Sequence, residues 1–78
     1  MKIKVKLSGS FEKYRTESEN EFVTLWFEKS VPVKNVLKKL LIPDNLPKLI
    51  LINGLVINKR QMIEDGDTLS IFPTLSGG

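Results

Sequence analysis

Apolar and polar residues alternate strictly near the start of the chain. Ile3, Val5 and Leu7 fall on one face of an extended segment, and three lysines fall on the other. Successive side chains of a strand point to opposite faces, so residues 2–7 are predicted to form a strand buried on one side. Residues 22–27 also alternate and are rich in β-branched and aromatic side chains. The two segments are predicted to pair as antiparallel strands.

The segment between these strands, residues 8–20, is polar and contains glycine. This composition is typical of a loop. We expect Phe11 and Tyr14 to pack against the fold without forming a regular element.

The middle of the chain has helical periodicity. Ser30 precedes Val31-Pro32, which is typical of an N-cap followed by a proline in the first turn. Pro43 is expected to end the helix at Ile42, because the residue before a proline disfavours helical geometry. The apolar positions that follow the spacing i, i+3, i+4, i+7 and i+8 are Val33, Val36, Leu37, Leu40 and Leu41.

Three short strands are predicted in the second half. Residues 49–52 are apolar, and Asn53-Gly54 is a strong hairpin signal, because both residues tolerate positive φ. Residues 55–57 should return as a short strand. Residues 68–72 alternate again, and Pro73 should end that strand because it has no N–H to donate.

The segment before the last strand is irregular. We expect Met62 or Ile63 to fill the core there. Glu64, Asp65 and Asp67 surround a glycine, and a hairpin turn is expected rather than a metal loop, because a calcium site needs different spacing and more ligands.

The element order is therefore strand, strand, helix, strand, short strand, strand, which is an α+β arrangement. One amphipathic helix covers only one face of such a sheet. Residues 1–73 are predicted to form the domain, and residues 74–78 an exposed tail.

Composition narrows the possible chemistry. The 78 residues include no cysteine and no histidine, which excludes thiol nucleophiles, imidazole bases and zinc sites built on these residues. Twelve basic and nine acidic side chains give a net charge of +3, a mixture of signs and not a field of one. No apolar run is long enough to span a bilayer. We expect a soluble, cytoplasmic protein.

Several motifs together resemble a known family. They are the opening order of two strands and a helix, Ile52-Asn53-Gly54, the Asp65-Gly66-Asp67 turn, and Ile71-Phe72-Pro73 leading to the terminal Gly77-Gly78. In this order they resemble the ubiquitin-like β-grasp family over nearly the whole chain. The resemblance implies a mixed sheet of four to five strands with one main α-helix packed on one face.

The closest resemblance is to the sulfur carriers, namely the small subunit of molybdopterin synthase and the thiamine-pathway sulfur carrier. A long first loop and a proline just after the last strand favour the molybdopterin type. The resemblance implies that the carboxylate of Gly78 is adenylated with ATP by a ubiquitin-activating-like adenylyltransferase and converted to a thiocarboxylate. Gly77, Ser76 and Leu75 would thread this end into the enzyme.

The carrier itself would then have no catalytic residue, no metal and no bound cofactor. Molybdopterin synthase large subunit or thiazole synthase would be further partners. The resemblance places protein docking on the uncovered face of the sheet, near the tail. The outward apolar residues predicted there are Phe22, Trp26, Leu49, Leu51 and Phe72. For Phe22 and Trp26 an equal alternative is that the long first loop folds over them.

Two other functions remain open from the sequence. A protein modifier would use the same adenylated end to form isopeptide bonds with lysines of other proteins. A single-strand nucleic-acid binder would combine Lys2, Lys4 and Lys6 with Phe72 and Trp26. Alternating outward lysines are more often a solvated face, so we do not expect nucleic acid or membrane as a partner.

Overall fold

The computed structural model of the protein describes residues 1–15 and 21–74. Its predicted strands and helix occur in the predicted order, with a short 3-10 helix and two two-residue strands in addition. In chain order they are β1 (Lys2–Leu7), the 3-10 helix (Gly9–Tyr14), β2 (Phe22–Trp26), β3 (Val31–Pro32), α1 (Val33–Lys39), β4 (Lys48–Ile52), β5 (Leu55–Ile57), β6 (Met62–Ile63) and β7 (Thr68–Pro73).

The main sheet is mixed and has five strands in the order β2-β1-β7-β4-β5. The strands β1 and β7 are parallel, and the other neighbouring pairs are antiparallel. The last strand therefore lies at the centre of the sheet. A separate two-stranded ladder joins β3 to β6. The predicted α+β arrangement is confirmed.

The core lies between one face of the sheet and the apolar side of α1. The periodicity predicted most of it, because the alternating positions of β1, β2 and β7 supply its sheet side. The buried apolar side chains are Ile3, Val5, Leu7, Phe11, Val23, Val33, Val36, Leu37, Leu40, Ile42, Ile50, Ile63, Leu69 and Ile71.

The start of the helix differs from the prediction. Ser30 is not its N-cap: the Ser30 hydroxyl donates to the carbonyl of Ile63 at 2.7 Å, and Val31–Pro32 pairs with β6 as a short strand. The amide of Val33 instead donates to the carbonyl of Gln61. The amide of Lys34 donates likewise to that of Lys59. A distant turn thus satisfies N–H groups that a local cap would otherwise serve.

The end of the helix also differs. The helix stops at Lys39, and Leu41 has a φ of 62° with 81% of its side chain exposed, so Leu41 does not belong to the buried face. The amides of Leu41 and Ile42 donate to the carbonyls of Lys38 and Leu37, respectively, each at 3.0 Å. This is a Schellman motif with leucine where glycine is usual. The chain therefore changes direction at Leu41, two residues before Pro43, so the proline is not what ends the helix.

Both predicted turns are present, but the second does not form the expected hairpin, because β6 before it pairs with β3 whereas β7 after it pairs with β1 and β4. Asn53 and Gly54 have φ values of 50° and 88°, which fits a two-residue hairpin turn between β4 and β5. The side chain of Asn53 does more than permit the turn: its Oδ1 accepts the amide of Thr68 at 2.9 Å. In the second turn, Gly66 has a φ of 84°, and its amide donates to the carbonyl of Lys2 at 2.8 Å.

Two local predictions are corrected or narrowed. The first loop contains the 3-10 helix, contrary to the expectation that Phe11 and Tyr14 belong to no element, although Phe11 does enter the core. Ile63, not Met62, fills the core before the acidic turn. Among the residues that the structure describes, no helix is long and apolar enough to cross a membrane.

We expect Leu41→Gly to raise the free energy of unfolding by up to about 1 kcal/mol. The left-handed conformation costs an L-residue on the order of 1 kcal/mol, and the greater entropy of unfolded glycine offsets part of the gain. Urea denaturation measures the change. Leu41→Ala is the matched control, because it removes the exposed side chain but keeps the strained Cβ. A glycine variant less stable than the alanine variant would contradict this account.

Candidate functional site

The strand that leads to the chain end is held on both sides. In β7, Phe72 lies opposite Leu49 and Pro73 lies opposite Lys48 of β4. On the other side, the amide of Ser8 donates to the carbonyl of Ile71 at 3.0 Å, one step beyond the β1–β7 register pairs. Ladder bonds thus fix the strand almost to its last residue. The predicted reactive and threading residues Gly78, Gly77, Ser76 and Leu75 lie outside the described residues.

An apolar surface lies beside this end of the sheet, on the face opposite the helix. Leu49 and Phe72 are neighbours in register, and Leu51 lies one pleat further along β4. Sequence reasoning missed a fourth member, Val56, which lies opposite Leu51 and is 66% exposed. We call Leu49, Leu51, Val56 and Phe72 the tail-side patch. The signal for Val56 was present, because a two-residue turn at Asn53-Gly54 fixes the Leu51–Val56 pairing.

A column of lysines separates the remaining two predicted docking residues from this patch. Lys2, Lys4 and Lys6 project from β1, between β7 and β2. Trp26 and Phe22 lie in β2, opposite Lys2 and Lys6 respectively. The five residues predicted as one docking surface therefore fall into two sets. Only Leu49, Leu51 and Phe72 adjoin the end of β7.

The exposure of Trp26 bears on the two alternatives for that residue. Its side chain is 64% exposed, while Phe22 is half-buried. The described part of the first loop packs elsewhere, since Phe11 of the 3-10 helix is buried in the main core. In residues 8–15 the loop therefore does not cover Trp26. Residues 16–20 lie outside the described part of the chain.

The lysines of this column form cation–π contacts and an ion pair. The Nζ of Lys2 lies 5.6 Å from the ring centroid of Trp26, and the Nζ of Lys4 lies 5.9 Å from that of Phe22. Both distances fit cation–π contacts. Lys6 forms a 2.8 Å ion pair with Glu21, and this hydrogen bond lowers the pKa of the Glu21 carboxyl.

This arrangement does not favour nucleic-acid binding. Ammonium groups lie over the rings of Trp26 and Phe22, where bases would have to stack. Another basic cluster, formed by Lys34, Lys38 and Arg60, lines a cleft beside the helix in which no aromatic residue takes part. Phe72, the other aromatic residue of that alternative, is exposed in β7 and belongs to the tail-side patch.

The acidic turn uses its carboxylates internally. Asp65 Oδ1 accepts the amide of Lys2 at 2.6 Å. Asp67 Oδ2 accepts the amide of Glu64 at 2.8 Å, and Asp67 Oδ1 accepts the side-chain amide of Asn53 at 3.0 Å. These bonds stabilise the turn and tie it to β1 and to the β4–β5 hairpin. Within residues 1–15 and 21–74 no cluster of carboxylates has the geometry of a metal site.

Comparison with known families identifies the chain. The model of the ThiS family matches residues 11–78, which is most of the chain and includes its last residue. The protein belongs to the ThiS family. A search of curated protein sequences finds no significant match.

Solved structures confirm the fold of this ThiS-family chain. SAMP1 from Haloferax volcanii aligns over 100% of both chains with a TM-score of 0.75 and 18% identity. A protein assigned as subunit 1 of the molybdopterin-converting factor of Pyrococcus furiosus gives a TM-score of 0.74 and 16% identity, covering 96% of this chain and 99% of its own.

A third similar structure is a complex. One chain in the structure of the complex of subunits 1 and 2 of the molybdopterin-converting factor from Helicobacter pylori matches with a TM-score of 0.62 and 21% identity, covering 100% of this chain and 100% of that chain. The ThiS-family chain thus has the ubiquitin-like β-grasp fold that its motifs resemble. The assignment to the ubiquitin-like sulfur carriers is confirmed.

The exposure of Trp26 can be checked in solution, since it is the only tryptophan of the chain. We expect acrylamide to quench its fluorescence in the native protein nearly as strongly as in the urea-unfolded protein, because most of the indole is exposed. Free N-acetyl-tryptophanamide is the reference. Quenching that is weak in the native state and strong only after unfolding would show that the first loop covers Trp26.

Proposed function

We propose that this ThiS-family protein is a sulfur carrier whose reacting group is the carboxylate of Gly78. The observation that carries the proposal is the family match through residue 78, on a chain end that follows directly from the central strand of the sheet. A central strand gives the tail a fixed base. The carrier needs no catalytic side chain of its own, because an activating enzyme supplies the chemistry, and it acts in the cytoplasm.

The chemistry follows from the poor reactivity of a carboxylate. Its charge repels nucleophiles, and an oxide ion is a very poor leaving group. In the first step, an oxygen of the Gly78 carboxylate attacks the α-phosphorus of ATP, and pyrophosphate leaves. In the second, hydrosulfide attacks the acyl carbon, AMP leaves with its electron pair, and loss of the thiol proton gives a thiocarboxylate. The adenylyltransferase binds the ATP.

The terminal glycines fit this role for a steric reason. Because Gly77 and Gly78 have no Cβ atom, they pass through a narrow channel and reach backbone angles that other residues cannot. Ser76 and Leu75 precede them and complete the threading segment. The chemistry thus takes place beyond the folded domain, and the domain provides recognition.

The tail-side patch provides that recognition in our proposal. An apolar cluster on a sheet face that no helix covers is typical of a protein-binding site. Phe72 lies in the strand that carries the tail, Leu49 and Leu51 lie in the neighbouring strand β4, and Val56 lies beyond Leu51 in β5. One partner can therefore contact the patch and receive the chain end together. Phe22 and Trp26 lie beyond the lysine column and are not part of this contact.

The pathway we favour is molybdopterin synthesis, with thiamine synthesis as the alternative. The long first loop and a proline at the end of the last strand support the molybdopterin type; Pro73 is the last residue of β7 rather than the first residue after it. One similar structure is a complex of subunits 1 and 2 of a molybdopterin-converting factor. By analogy, we propose a large subunit of this kind as the partner that accepts the sulfur.

Incubation with an activating enzyme of the family, ATP and sulfide should replace one oxygen of the protein by sulfur. Intact mass spectrometry detects the exchange, and fragmentation assigns it to Gly78. Deletion of Gly78 should abolish the exchange without changing the circular dichroism spectrum, because the described core is complete by Ile71. Equal modification of the deletion variant would overturn the assignment.

The protein-modifier alternative predicts a different product. In that case, cell extract containing the activating enzyme and ATP should yield isopeptide adducts of the carrier on lysines of other proteins. Thiocarboxylate on the free protein without adducts supports the sulfur carrier. Adducts without thiocarboxylate would overturn the sulfur-carrier proposal and support the protein modifier.

Phe72→Ala should raise the KM of the activating enzyme for the carrier about tenfold, because truncating a central aromatic anchor costs on the order of 1–2 kcal/mol of binding. Initial rates of ATP–pyrophosphate exchange at limiting carrier measure this value. Trp26→Ala is the matched control: it removes an exposed aromatic side chain from the same sheet face, across the lysine column. Equal KM values for the two variants would exclude the tail-side patch as the recognition surface.

A further inference from the structure

The base of the tail touches the beginning of the first loop. Gly9 directly follows Ser8, whose amide donates to the carbonyl of Ile71 in β7, and it has a φ of 59°. A Cβ at Gly9 would lie 2.8 Å from Cγ and 3.1 Å from Cδ of Pro73. Real Cβ atoms essentially never approach another heavy atom as closely as 2.8 Å. The backbone of Gly9 therefore packs directly on the ring of Pro73.

Neither partner of this contact can move easily. The ring of Pro73 is bonded to its own backbone, so any displacement larger than a change of ring pucker moves the chain. On the other side, Phe11 anchors the 3-10 helix in the core, with only 2% of its surface exposed, and the amide of Phe11 donates to the carbonyl of Ser8. The contact with Gly9 therefore restrains the end of β7 on one side, and the pairing of Pro73 with Lys48 restrains it on the other.

We propose that Gly9 is a positioning residue, which acts through Pro73 to set the direction in which the chain leaves the sheet toward Gly78. The inference rests on the proposed function, since the direction matters only if the chain end must enter a partner. Docking through the tail-side patch fixes where the domain sits. The Gly9–Pro73 contact then sets the direction of the backbone at Thr74, from which the chain continues toward Gly78.

Variants that weaken docking and variants that misdirect the chain end should therefore change different kinetic constants. A patch variant weakens binding and raises the KM for the carrier. A variant at Gly9 leaves the patch intact, so the carrier still binds, but fewer bound complexes present the carboxylate correctly. Its kcat falls while its KM stays close to the wild-type value.

The test compares Gly9→Ala with Gly66→Ala in the ATP–pyrophosphate exchange assay. Both glycines have positive φ, but a Cβ at Gly66 would have no neighbour within 4 Å, and Gly66 lies at the opposite end of β7. We expect kcat to fall about tenfold for Gly9→Ala, because misplacement of a reacting group by about 1 Å can cost up to roughly a hundredfold. Gly66→Ala should keep the wild-type kcat. Equal losses in both variants would assign the effect to backbone strain and overturn the proposal.

Pro73→Ala tests the contact from the other side without straining the backbone at Gly9. We expect it to lower kcat alone, and we expect Gly9→Ala/Pro73→Ala to have the kcat of Pro73→Ala, because the added methyl group then no longer meets a ring. Such non-additivity is the signature of a direct interaction. Additive losses would overturn the proposal.

A structural measurement makes the test independent of the enzyme. In proton–nitrogen correlation spectra, Gly9→Ala should shift the amide signals of Phe72 and Thr74, whereas Gly66→Ala should not. The same spectra show that each variant is folded. Wild-type protein that is not adenylated would refute the proposed function itself, whereas active wild type with an unchanged Gly9→Ala variant would refute only the positioning role.

Discussion

The parallel ladder between β1 and β7 is the constraint on which the rest of the structure depends. It joins the first strand of the chain to the last, and parallel neighbours require a long crossover connection. Everything between them serves as that connection: β2 pairs on the outer side of β1, α1 covers one face, and the β4–β5 hairpin pairs on the other side of β7. The last strand therefore becomes the central strand.

Parallel pairing also explains why the first loop adjoins the tail. Two parallel strands end at the same edge of the sheet, so the chain that leaves β1 at Gly9 emerges beside the chain that leaves β7 at Pro73. The two segments compete for the same space. Glycine at one strand end and a rigid ring at the other is a packing solution to this crowding.

Features governed by local patterning were predictable from the sequence. Alternation in β1 and β7 identified the core face, and Asn53-Gly54 identified the hairpin, because both signals depend on neighbouring residues only. Features that depend on distant partners were not. The hydroxyl of Ser30 bonds to Ile63, 33 residues away, and Gln61 and Lys59 cap the helix. Local propensity therefore predicted the wrong cap.

The site was predictable to a similar degree. Phe72, Leu49 and Leu51 follow from strand alternation, and the correct register would have added Val56. The separation of Trp26 and Phe22 from them required the strand order, since only that order places the lysines of β1 between the two sets. The Gly9–Pro73 contact carries no sequence signal, because it joins the ends of two strands 64 residues apart.

The central position of β7 also has a mechanical consequence. Traction on the tail acts along this strand, while its ladder bonds cross to the neighbouring strands, perpendicular to β7 on the antiparallel β4 side and slanted on the parallel β1 side. Such a load shears both ladders at once, whereas peeling an edge strand breaks its bonds one after another. The tail that a partner would bind thus continues from the strand whose extraction requires two ladders to break together.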